Sequence, residues 1–179
     1  MLLGWTVVLL LCLSFASGRS HAQNASPSEH QVKAAFIFNF MKFVEWPATA
    51  FADTNTPLSV GVLGNTPIGD HLEQATRNKS VNNRRILVKT CRSLEEAKQC
   101  HVLFVCDSEK KRLAGIMDEL AGASVLTVGE IEGFTKSGGV INFYREGNKF
   151  RFEINDEAAK KVKLKISSKL LSLASRPAG

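Results

Sequence analysis

The chain has 179 residues, of which 44% are hydrophobic and 22% charged, with a formal net charge of +6. That length holds one domain with a proper core, and so modest a positive excess is no nucleic-acid signature. Met1 to Gly18 reads MLLGWTVVLLLCLSFASG, a nearly unbroken apolar run, and Ser20-His21-Ala22 then places small residues where a signal peptidase reads them. The run falls short of the roughly 20 apolar residues that cross a bilayer, so residues 1–22 are expected to be a cleaved secretory signal peptide. Leu11 before Cys12 excludes a lipoprotein signal, which needs a small residue there. Removing the leader takes away one Arg and no acid, which lowers the net charge from +6 to +5. The working domain is then residues 23–179, outside the cytoplasm and, with no second long apolar run, soluble.

Glu29 to Glu45 reads as a helix. Val32, Phe36, Asn39, Phe40 and Phe43 share one face at spacings of three and four, and Ile37, Met41 and Val44 widen the stripe. Trp46-Pro47 ends it, because the residue before proline is pushed out of the helical region. Short apolar runs then alternate with helical stretches. Strands are expected at Leu58–Leu63, Arg85–Lys89, His101–Val105 and Ser124–Val128, with helices at 67–76 and 108–120 and a short helix or turn at 94–98. That alternation indicates a mostly parallel sheet flanked by helices. Val140–Tyr144 and Phe150–Ile154 alternate at period two around Glu146-Gly147-Asn148, the pattern of a β-hairpin. Asn155 can cap a helix from Asp156, and Ser167 or Ser168 a final helix, so the C-terminus reads as helix, kink, helix. The fold class is therefore α/β, a single domain with a C-terminal hairpin and helix. Lys160, Lys161, Lys163, Lys165 and Lys169 concentrate positive charge there, most simply on a solvated face.

Catalytic and metal-binding patterns are missing: no HExxH, CxxC or GxSxG occurs, and His30, His71 and His101 lack metal-site spacing. The expectation is a non-enzyme without a cofactor. His101 follows Cys100 directly, but adjacent strand residues point to opposite faces, so the pair is read as structural. Cys91, Cys100 and Cys106 allow one disulfide in an oxidising compartment. Cys91–Cys100 closes the shortest loop and is favoured, while Cys91–Cys106 would suit neighbouring parallel strands. The glycines of VGVLGNTPIG and GEIEGFTKSGG lie where strand ends in such sheets commonly hold ligands. A small-molecule site near Gly64, Gly129 and Phe134 is therefore the alternative function.

Four segments, VKAAFIFNFMKFVEWP (32–47), CHVLFVCDSE (100–109), VLTVGEIEGFTKSGGVINFYREGNKFRFEIN (125–155) and KISSKLLSLA (165–174), together resemble the YfiR-like family of bacterial periplasmic proteins. The resemblance implies a small α/β periplasmic protein, commonly a homodimer. It would bind the sensory domain of an inner-membrane diguanylate cyclase and hold cyclic-di-GMP synthesis down until stress or an outer-membrane partner relieves it. Some members carry a Cys in the first strand that pairs with the Cys before the third. This chain has Gly61 there, so any bridge to Cys100 must come from another cysteine. Such a repressor needs an exposed apolar patch, and Phe36, Phe40 and Phe43 on the first helix, with Phe134 in the glycine-rich loop, are the candidate partner contacts.

Overall fold

A computed structural model describes residues 27–175; the expected signal peptide lies outside them. The chain opens with α1 (Glu29–Met41), whose start is fixed by a capping box: the Ser28 side chain accepts from the Gln31 N–H, and the Gln31 side chain accepts from the Ser28 N–H. The helix stops four residues before the expected Glu45, because Val44–Glu45 forms a two-residue strand, β1. There follow β2 (Leu58–Leu63), α2 (Ile68–Thr76), β3 (Ser80–Val81), β4 (Arg84–Cys91), α3 (Leu94–Lys98) and β5 (Val102–Val105). A 3₁₀ segment (Asp107–Arg112) precedes α4 (Leu113–Glu119), so the expected single helix over 108–120 is two pieces. The chain continues through β6 (Leu126–Gly129), β7 (Ile141–Glu146), β8 (Lys149–Ile154), α5 (Asp156–Lys161), β9 (Lys165–Ile166) and α6 (Ser168–Leu173).

Seven strands form one sheet in the order β3-β4-β2-β5-β6-β7-β8. The inner neighbours β4-β2, β2-β5, β5-β6 and β6-β7 are parallel, while β3 and β8 add antiparallel edges. Numbered along the chain, the parallel strands run 2-1-3-4-5, a doubly wound arrangement with a switch point between β2 and β5. Strand alternation splits the core in two. Val60, Val62, Val102, Phe104, Leu126 and Val128 face α1 and α2, whereas Leu63, Leu103, Val105 and Val125 face α3 and α4.

The C-terminus keeps the expected helix, kink, helix and makes the kink a short strand. Lys163 turns the chain at a φ of 60°, and Lys165–Ile166 then pairs antiparallel with Val44–Glu45. The alternation of Leu164 and Ile166 with lysines thus belongs to an extended segment, and the tail clasps the end of α1. Asn155 does cap α5, accepting from the Ala158 N–H at 2.9 Å, and Ser167 caps α6.

Candidate functional site

Cys91 ends β4 and Cys100 precedes β5, so the parallel strands on either side of β2 bring both thiols over its centre. Their sulfurs lie 3.7 Å apart, buried on the α3 side of the sheet. Gly61 of β2 makes the room: a Cβ there would come within 2.6 Å of the Cys100 sulfur and 2.7 Å of the Cys91 sulfur. The pair shares its hydrogen bond unequally. Hydrogen bonding from Cys100 lowers the Cys91 thiol below its ordinary range, while the same contact and burial push Cys100 up. Cys106 lies elsewhere, with its sulfur 2.9 Å from Ser108 Oγ. The geometry thus brings together Cys91 and Cys100, not Cys91 and Cys106.

The four phenylalanines divide. Phe40 is 1% exposed and Phe134 is fully buried, so neither side chain is available to a partner in this structure. Phe40 belongs to an aromatic cluster with Phe143 and Phe152, at centroid separations of 5.6 and 4.9 Å, because the hairpin packs across α1. The Phe134 ring inserts between Gly129 and Gly139, where an added Cβ would approach it to 2.5 and 2.2 Å. Phe36 and Phe43 are half-buried. Phe36 touches the same cluster from its rim, and the Lys169 ammonium stands 5.5 Å over the Phe43 ring.

The two glycines at the strand ends, Gly64 and Gly129, are packed against the protein itself, while clefts lined by Asp107, Glu130, Gly133 and Tyr144 lie beside them. At the switch point the Asn65 N–H donates to Ser108 Oγ at 3.1 Å, and a Cβ on Gly64 would meet the Cys106 sulfur at 2.2 Å. Phe134 covers Gly129. Beside them lies an ion network that sequence reasoning missed. Lys33 of α1 is 5% exposed and bonds Glu29 and Glu130, and Arg145 of the hairpin reaches Glu29 at 2.8 Å. Burial acts to raise the Glu29 carboxyl, but hydrogen bonds from Lys33 and Arg145 outweigh it and hold the group below the usual carboxylate range. A lysine on the buried stripe, four residues before Ile37, was the available signal.

His101 is structural in this arrangement. Its Nδ1 accepts from the Ser59 N–H at 3.1 Å, which leaves the proton on Nε2 to be donated to the Ala50 carbonyl at 3.0 Å. Phe51 stacks on the ring at 4.3 Å.

A family described as YfiR/HmsC-like matches residues 30–175. No curated protein matches. Among solved structures, a conserved domain protein from Vibrio cholerae O1 biovar El Tor strain N16961 superposes with a TM-score of 0.58 at 11% identity, covering 83% of this chain. This chain spans 60% of that one's length, and at that identity the likeness shows the fold alone.

Proposed function

Because the chain belongs to the YfiR/HmsC-like family over residues 30–175, we propose that it is a periplasmic regulator, not an enzyme, which docks on the sensory domain of an inner-membrane diguanylate cyclase and lowers cyclic-di-GMP synthesis. The family match is the observation that carries this reading. A protein of this kind represses by binding one state of its target more tightly than the other, and a shift from mostly active to mostly inactive needs a differential of several kcal/mol. Half-buried Phe36 and Phe43 on α1 are its proposed partner contacts. Residues 1–22 serve as its cleaved leader, and it works as a homodimer.

In this reading Cys91 and Cys100 form the domain's disulfide. Closure releases two protons and passes two electrons to an oxidising thiol–disulfide carrier of the compartment. What supports it is the facing of the two sulfurs across Gly61. The bridge would tie the end of β4 to the start of β5 and stiffen the α3 side.

The test is capture. The protein is immobilised and presented with detergent-solubilised inner membranes of the native host. Retention of a cyclase with a periplasmic sensory domain, reversed when Phe36 and Phe43 are changed to Ser, supports the proposal. Retention of nothing from either oxidised or reduced preparations overturns it.

A further inference from the structure

The sheet's two edges, β8 and β3-β4, are not alike. At β8 the tail returns, and the Ser175 N–H donates to the Phe152 carbonyl at 3.0 Å. At β4 only Arg84 and Arg85 are paired outward, to Val81 and Ser80 of the two-residue β3. Among the described residues no strand pairs with Ile86–Cys91 on that side. Alternate backbone N–H and C=O groups along this stretch are therefore free to pair with another strand.

Side chains along the edge alternate. Ile86 and Val88 pack toward the α1 core, and Cys91 lies in the core on the α3 side. Leu87 therefore shares the α3 side with Arg85 and Lys89. Leu87 is 50% exposed, one of two large hydrophobic side chains so open among the described residues. None of the ion pairs among the described residues engages Arg85, Lys89 or the neighbouring Arg77. The edge thus presents a basic, apolar, basic triplet on one face. On the other face a groove between β4 and the end of α2 is lined by Arg77 and Lys79, with Glu73 as its acid.

We propose that this open edge of β4 receives an extended acidic segment of a partner protein as an added strand, with an apolar residue opposite Leu87 and carboxylates opposite Arg85 and Lys89. Charge selects the occupant. A second copy paired antiparallel about Leu87 would set Arg85 directly opposite Lys89, and like charges so placed are destabilising. Neither residues 1–26 nor residues 176–179 supply such a segment, since neither stretch contains an Asp or Glu. An acid-x-apolar-x-acid segment matches Arg85, Leu87 and Lys89 at once and reads the same in both chain directions. This deepens the regulatory reading by naming a surface for the target, and rests on that reading for its purpose.

The test uses the protein recovered from cells expressing the full chain and the capped heptapeptide TEVLVET, with TKVLVKT as control. The acidic peptide is expected to bind with a dissociation constant of roughly 0.1–1 mM, since a free heptapeptide loses chain freedom on pairing. It should bind about tenfold more tightly than the control, the difference two inverted cross-strand pairs make. Its amide shift changes should concentrate at Ile86–Thr90, and high salt should weaken it. Arg85→Glu, an exposed change that keeps the fold, should cost the acidic peptide about threefold or more and improve the lysine peptide. Equal binding of the two peptides, shifts away from β4, or a dimer of the unchanged protein paired through β4 would each overturn the proposal. If the peptide fails while the protein still captures a membrane cyclase, the edge is wrong and the regulatory reading stands.

Discussion

Phe134 and Gly139 should behave as one unit. The fully buried ring fills the space that glycine leaves, with an added Cβ on Gly139 approaching it to 2.2 Å. Phe134→Ala empties a closed core and is expected to cost about 3–5 kcal/mol. Gly139→Ala drives a methyl into a ring that has nowhere to retreat, an overpacking cost of about 1–3 kcal/mol. In the double variant the methyl enters the cavity instead. Its cost should stay near that of Phe134→Ala alone, so the two changes couple by roughly 1–3 kcal/mol. Urea unfolding of the four proteins measures this through the midpoint at constant slope. Should Phe134→Ala be too unstable to purify, Phe134→Leu serves the same cycle. Additivity within about 0.5 kcal/mol would refute the reasoning, because it would mean that the two residues do not share that space.

His101 is held below its ordinary pKa by burial, with Arg84 adding to the effect against the Ala50 carbonyl. The unfolded chain therefore binds this proton first: stability is full above about pH 6.5 and falls as pH drops below it. His101→Asn keeps an acceptor for the Ser59 N–H and should flatten that slope between pH 7.5 and 5.5. Identical slopes in the two proteins would sink the assignment. If Cys91 and Cys100 are bridged, reductant should lower stability by roughly 2.5 kcal/mol, as expected for a loop of about ten residues. Cys100→Ser should then be indifferent to reductant, and a wild type equally indifferent would exclude the bridge. Asn155→Ala removes the α5 cap and the bond from Asn155 Nδ2 to the Thr135 carbonyl at 2.9 Å. It should cost about 1–2 kcal/mol, with Asn155→Asp restoring most of it through the retained cap; equal losses in the two would assign the cost to the Thr135 bond.

The elements legible in the sequence are those with a local cause. The runs at Leu58 and Val102, the hairpin around Gly147 and the caps at Asn155 and Ser167 announce themselves by period or by cap chemistry. The two-residue strands β1, β3 and β9 do not, because each exists only through a partner distant in the chain or across a tight turn. The same limit governs the site. A stripe of phenylalanines on one helix does not say which ring meets the hairpin: Phe40 faces Phe143 and Phe152 at close range, while Phe43 stays at the rim. Nor does a glycine in a buried strand disclose that two sulfurs converge on it. The short loop favours the Cys91–Cys100 pair in the sequence, but the space at Gly61 is visible only once β4, β2 and β5 lie side by side.

The contact between α1 and the hairpin has a consequence for how the chain comes to be folded. Phe40 meets Phe143 and Phe152, and Glu29 meets Arg145 across 116 residues. The aromatic face of α1 thus meets its hairpin cover only when the last third of the chain has arrived, although α2 and the early strands reach the helix sooner. Until then its aromatic side stands open, and contacts of such sequence separation form slowly. A chain delivered N-terminus first must keep residues 29–43 from sticking to anything else for that interval, which is the setting in which a holding chaperone binds and a protease cuts. The segment that completes the core is therefore also the one that most needs protection while the core is being built.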